Sequence, residues 1–205
     1  MNAACEVLVF AKAPQAGLAK TRLIPALGAD VAARLAERML VHAVEQACAA
    51  DVGAVRVCAA PDTAHAVFAR LAQRFGVALA SQVGADLGAR MDHALTGSLR
   101  LHACALLIGT DAPALDAAVL RAAHDALAVH DAVFVPTFDG GYALVGLRAP
   151  APRLFDDLAW STPQVMAETR KRLAALALTH HELPMLADID EPADLVHLPP
   201  GWIVP

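Results

Sequence analysis

The chain has 205 residues, 57% of them apolar, with a formal net charge of −5 and a mean hydropathy of +0.47. Alanine supplies much of that excess. The longest apolar runs, Val7–Ala11 and Ala103–Ile108, fall far short of the roughly 20 residues a spanning helix needs. The early charges Glu6 and Lys12 lead us to expect no signal peptide, and no Lys/Arg stripe of the kind that grips nucleic acid is present. The expectation is a cytoplasmic, alanine-rich globular protein folded as one domain over residues 1–205.

In chain order, Glu6–Ala11 reads as a buried first strand. The segment that leaves it, from Lys12 to Leu23, holds Pro14, Gly17, Lys20, Thr21 and Arg22. In open α/β sheets, ligands bind where loops leave the carboxyl ends of strands. Glycine lets a backbone approach a ligand closely, and clustered cations stabilise phosphate. The spacing is neither GxGxxG nor GxxxxGK[ST], so the dinucleotide and P-loop readings fail.

Residues Asp30–Ala49 carry a helical apolar stripe, Ala54–Ala60 a strand, Thr63–Phe75 a helix and Val77–Ala80 a strand. Leu87–Leu99 is a helix opened by Gly88-Ala-Arg90-Met91, whose arginine faces either a nucleotide or solvent. Strand Ala103–Ile108 runs into Gly109-Thr110-Asp111-Ala112-Pro113. Asp111 therefore stands at a strand exit as a metal or ligand contact, or as a cap for helix Asp116–Val129. Strands Ala132–Pro136 and Tyr142–Leu147, joined by Asp139-Gly140-Gly141, resemble a local β insertion. Asp139 can serve a plain hairpin, or contact an acceptor hydroxyl or act as a base there. Helix Pro163–Leu178 follows Ser161 and Thr162, either of which can cap it. His180 and His181 read as exposed surface.

The last cluster is Asp188-Ile189-Asp190-Glu191-Pro192-Ala193-Asp194-Leu195. Alternation sends Asp188 and Asp190 to one side. Alone, the cluster reads as a helix start capped by Asp190; with Asp111 it offers a hard divalent cation carboxylates from two distant segments. Cys5, Cys48, Cys58 and Cys104 lack CxxC spacing and sit in apolar stretches, as buried free thiols do. Strand–helix alternation with nearly continuous apolar strands predicts a parallel-dominated α/β sheet covered on both faces.

Taken in order, KAPxxGxxKTRL, LGxRM, IGTDxPxL, DGGYxLxGL, WST and DIDxPxDL resemble a bacterial family of candidate glycosyltransferases. This is the radical-SAM/selenodomain-associated transferase 1 family, also called the arsenosugar-biosynthesis glycosyltransferases, within the nucleotide-diphospho-sugar transferase superfamily. The resemblance runs from Val7 to about Leu195. More distantly, the chain is similar to phospholactate and molybdenum-cofactor guanylyltransferases.

The resemblance implies a GT-A-like three-layer α/β/α sandwich with a mixed, mostly parallel sheet. It implies a nucleotide site at Ala11, Lys12, Pro14, Gly17, Lys20, Arg22, Arg90 and Asp111, and a Mg²⁺ or Mn²⁺ ion on Asp111 and Asp190. It places Asp139, Gly140 and Gly141 beside a small-molecule acceptor, and makes Lys20, Arg22 and Asp139 the catalytic candidates. Thr110 stands where serine is commoner, and Glu191 where threonine is. The partners implied are a nucleoside diphosphate sugar or, for the rival nucleotidyl transfer, a nucleoside triphosphate. A non-catalytic nucleotide-binding protein is the third reading. Sequence leaves the oligomeric state open.

Overall fold

The computed structural model describes residues 3–203. Seven strands form one sheet in the order β3-β2-β1-β4-β6-β5-β7. They are β1 (Ala3–Lys12), β2 (Gly53–Ala60), β3 (Ala78–Ser81), β4 (His102–Ile108), β5 (Ala132–Pro136), β6 (Tyr142–Leu147) and β7 (His180–Glu182). All neighbours pair in parallel except β6, which runs antiparallel to both β4 and β5.

The helices are α1 (Ile24–Leu27), α2 (Ala29–Ala50), α3 (Ala66–Phe75), α4 (Leu87–Leu99), α5 (Ala117–Ala126) and α6 (Val165–Ala175). Period-2 alternation divides the strand side chains between two helical layers. Val7, Val9, Leu106 and Val133 pack under Leu40, Val44, Phe68 and Leu120 of α2, α3 and α5. Leu8, Phe10, Leu107 and Phe134 pack under Met91, Leu95, Met166 and Leu173 of α4 and α6. Both faces are dry, which is why the strands read as apolar runs. Small Ala43, Ala47 and Ala50 let α2 lie close to the sheet. This is the expected α/β/α sandwich with a mixed, mostly parallel sheet.

Four expectations change. The β5–β6 hairpin is not a local insertion: β6 inserts between β4 and β5, and its Leu144, Val145 and Leu147 are fully buried. Helix α6 starts two residues later than expected, its N-cap is Gln164, and neither Ser161 nor Thr162 caps it. Ser161 adopts a left-handed φ of 59, and the Thr162 hydroxyl donates instead to the Ala159 carbonyl at 2.8 Å. The dihistidine segment is an edge strand, β7, with only His181 exposed. Asp190 is not the cap of the last helical turn, Pro192–His197. Glu191 is, and the Asp194 carboxylate accepts from the backbone N–H groups of Asp190 (3.0 Å) and Glu191 (2.7 Å).

No helix among the described residues is long and apolar enough to cross a membrane.

Candidate active site at the carboxyl edge of the sheet

Three segments far apart in sequence meet at the carboxyl ends of β1, β4 and β5. The first leaves β1 and turns through Gly17, whose φ is +82. It reaches Lys20, held in the left-handed region (φ 47, ψ 47) at the start of the turn Thr21–Leu23. A non-glycine residue there costs about 1–2 kcal/mol, and Lys20 has partners that hold it. Leu23, fully buried, pins the far end of the loop in a small core with Ala32, Leu35, Met39 and Ile189.

The second segment is Gly109–Pro113 after β4. The third continues β7 alongside β5: Leu183 N–H donates to the Phe134 carbonyl and Leu186 N–H to the Pro136 carbonyl, so residues 186–190 arrive beside the β5–β6 turn. Ile189 joins all three. Its side chain is buried, its N–H donates to the Asp111 carbonyl at 2.8 Å, and its own carbonyl accepts from Lys20 Nζ at 2.6 Å.

The Lys20 ammonium lies 2.5 Å from Asp111 Oδ1 and 2.9 Å from Asp190 Oδ1. Burial works against its charge, and the negative charges of Asp111 and Asp190 overcome that, so its pKa is raised. Asp111 is therefore an ion-pair partner and not a cap; the cap of α5 is Asp116, which accepts from Ala118 and Val119 N–H. Beside this group lies a cavity of about 340 Å³ lined by Arg22, Phe138, Asp139, Asp188, Asp190 and His197, among others. Asp188 is pushed up to about 6, first by burial and then by the charges of Asp139, Asp190 and Asp194.

The β5–β6 turn is built for close packing. A Cβ on Gly140 (φ +89) would fall 2.1 Å from the Pro163 carbonyl oxygen. The Gly140 carbonyl accepts from Met166 N–H, which ties the turn to α6. Asp139 Oδ1 accepts from the Thr137 hydroxyl (2.6 Å) and Gly141 N–H (2.8 Å). Its Oδ2 has no hydrogen bond among the described residues, and the residue lines the cavity. Tyr142 is a wedge, with its ring edge-on to Phe134 and Trp160. Burial pushes its phenol pKa up.

The structure thus brings together Lys20, Asp111, Asp190, Arg22 and Asp139. Arg22 is exposed and 3.9 Å from Glu191. Gly17 is exposed with open space around it, Ala11 and Pro14 are buried, and Lys12 is exposed and forms no ion pair among the described residues. Arg90 does not join the cluster: its Nε donates to the Gly84 carbonyl at 3.1 Å. Gly88 serves packing, because a Cβ there would meet the Phe155 carbonyl at 2.5 Å and the Trp160 indole nitrogen at 2.9 Å. Residue patterns missed Phe138, 68% exposed at the cavity, and His197. They also missed the part played by Ile189, whose signal was a lone apolar residue between two acids.

A divalent cation fits the chemistry of this donor set. Two partly exposed carboxylates converge on one positive centre, Lys20 Nζ, and hard oxygen donors of this kind suit such an ion. Among the described residues no three His, Cys, Asp or Glu side chains are arranged to hold a metal, so the rest of its coordination would come from water or ligand.

Residues 40–162 match the family described as "uncharacterized protein conserved in bacteria" (DUF2064). The chain belongs to that family. This DUF2064 chain is also similar, at 30% identity and a TM-score of 0.85, to a crystal structure of a candidate nucleotide-diphospho-sugar transferase from Desulfovibrio desulfuricans G20. That match covers 93% of this chain and 84% of the other. Two more remote structures share the fold. One is a cytidylyltransferase from Leptospira borgpetersenii (16% identity, TM-score 0.60, 94% and 84% covered). The other is the manganese complex of Rv0371c from Mycobacterium tuberculosis (17%, 0.57, 95% and 97%). No curated protein matches the sequence significantly. The fold of this DUF2064 member is that of the nucleotide-diphospho-sugar transferases.

Proposed function

We propose that this protein is a transferase that takes a nucleotide-activated donor, a nucleoside diphosphate sugar, and passes the glycosyl group to a hydroxyl of a small acceptor. The observation that carries the reading is the convergence of Lys20, Asp111 and Asp190 at the carboxyl edge of a sheet with this fold. Asp111 and Asp190 would hold a divalent cation, Mg²⁺ or Mn²⁺, as the manganese found in a neighbour of the same fold suggests. Such an ion supplies Lewis-acid stabilisation to a departing diphosphate.

The chain's own residues supply the rest. Lys20 and the exposed Arg22 place positive charge where negative charge builds as the glycosyl–oxygen bond breaks. The loop with Gly17 leaves open space for the donor. Asp139 lines the cavity on the acceptor side, where its carboxylate can orient the attacking hydroxyl and take its proton.

The same site could serve nucleotidyl transfer, in which a phosphorylated acceptor attacks a nucleoside triphosphate. The cavity argues for the glycosyl reading. Asp139, Asp188, Asp190, Glu191 and Asp194 line it against Arg22 as the one full cation, and an anionic acceptor would be repelled there. A neutral hydroxyl donor finds acceptors.

Phosphorus NMR of the protein with Mn²⁺, a nucleotide-sugar panel and mixed alcohols tests this. The reading expects a nucleoside diphosphate product. Pyrophosphate from a nucleoside triphosphate, with no turnover of any nucleotide sugar, overturns it.

A further inference from the structure

We propose that Lys20 is a tethered counter-cation that makes metal uptake at Asp111 and Asp190 conditional on a nucleotide. The inference rests on the reading of those two aspartates as metal ligands. An ammonium has three N–H donors, and all three are engaged: by Asp111 Oδ1 at 2.5 Å, Asp190 Oδ1 at 2.9 Å and the Ile189 carbonyl at 2.6 Å. The Lys20 side chain is only 9% exposed, whereas those of Asp111 and Asp190 are 48% and 41% exposed. The lysine therefore holds the inner position and the acids keep an outward face.

A divalent ion arriving at those carboxylates meets a fixed positive charge within contact distance of the same oxygens. To bind, it must displace the ammonium, which must then find another anion, and that cost keeps binding weak when no anion is present. Donor phosphates are that anion. Lys20 sits on a loop whose turn at Gly17 has open space around it and whose own backbone is in the left-handed region, so the segment has a more relaxed conformation to move to. Metal and nucleotide then bind with positive coupling, because each removes the charge that opposes the other.

The test is calorimetric titration of MnCl₂ into the full chain, with and without UDP or GDP, for the wild type and Lys20→Met. For the wild type, the nucleotide should tighten Mn²⁺ binding by about 5- to 150-fold, the usual span of coupling between sites. Lys20→Met should bind Mn²⁺ alone more tightly than the wild type by a factor in the same range, and should lose most of the nucleotide-driven gain. Equal Mn²⁺ affinity of the two proteins without nucleotide overturns the proposal. No Mn²⁺ uptake by either protein under any condition overturns the metal reading beneath it.

A second measurement needs no variant: reductive methylation of the wild type, read by mass spectrometry at Lys20. Labelling should be low without metal, rise at saturating Mn²⁺, and fall again when UDP or GDP is added. Labelling indifferent to Mn²⁺ contradicts the proposal.

Discussion

Two ion-pair clusters sit at opposite ends of strand β1, and they are built in opposite senses. Near the start of β1, Glu6 is buried (side chain 3% exposed) and pairs with Arg56 at 2.8 Å, with His102 3.6 Å away; Arg56 is 34% exposed. Beyond its end, the cation Lys20 is buried and the carboxylates Asp111 and Asp190 remain open to solvent. The first arrangement hides the acid and lets water reach the base, so the carboxylate can bind nothing else. The second leaves carboxylate lone pairs facing outward, where a ligand can use them. Similar ionic chemistry serves structure at one end and binding at the other.

The largest expected effect lies at the open end. Asp111→Asn should lower turnover by about 10²–10³-fold, as loss of a charge-stabilising group does, while melting close to the wild type. Steady-state kinetics with a thermal melt check both halves. Gly140→Ala tests the turn between the two functions. Its Cβ would strike the Pro163 carbonyl at a positive φ, so stability should fall by about 1–3 kcal/mol from backbone strain alone, measured by urea unfolding. A wild-type midpoint would mean that the turn packs differently.

At the closed end, Glu6→Gln should cost about 1–2 kcal/mol of stability through the weakened charge-assisted pair, with turnover unchanged. A loss of turnover beyond the loss of folded protein would erase the contrast between the ends. The smallest effect is a surface control. Arg170 grips Glu182 with two contacts of 2.7 Å, and that hydrogen bonding lowers the Glu182 pKa. A carboxylate whose native pKa is depressed stabilises the fold fully above its unfolded pKa, and loses the contribution as pH falls through the native value. Arg170→Gln should therefore cost less than about 1 kcal/mol at pH 7, since both groups are partly exposed. The difference from the wild type should vanish in acid, as urea titrations at pH 7 and below the native carboxylate range would show.

How much of this could be read from residues alone follows from the range of the forces involved. The buried strands and the helix α2 were legible because burial on both faces writes itself into local apolar runs. The place of β6 was not: two strands with a Gly-Gly turn between them look alike whether they stand apart or enter the main sheet, and only pairing with β4 decides. β7 escaped because an edge strand of three polar residues has no period to detect. Asp111, Asp190, Lys20 and Arg22 could be named individually from strand exits and family resemblance. That Lys20 binds both aspartates could not, since it depends on Ile189 being drawn into the core beside Leu23. The cap at Glu191 differed from the expected Asp190 by one residue, yet that shift is what leaves the Asp190 side chain facing Lys20.

The most direct single measurement is the thermal shift produced by a nucleoside diphosphate with Mn²⁺ across wild type, Asp111→Asn and Glu6→Gln. The account predicts that Glu6→Gln melts lower but keeps the full ligand-induced shift, and that Asp111→Asn melts near the wild type and loses it. A ligand shift that survives in Asp111→Asn and disappears in Glu6→Gln would contradict the account.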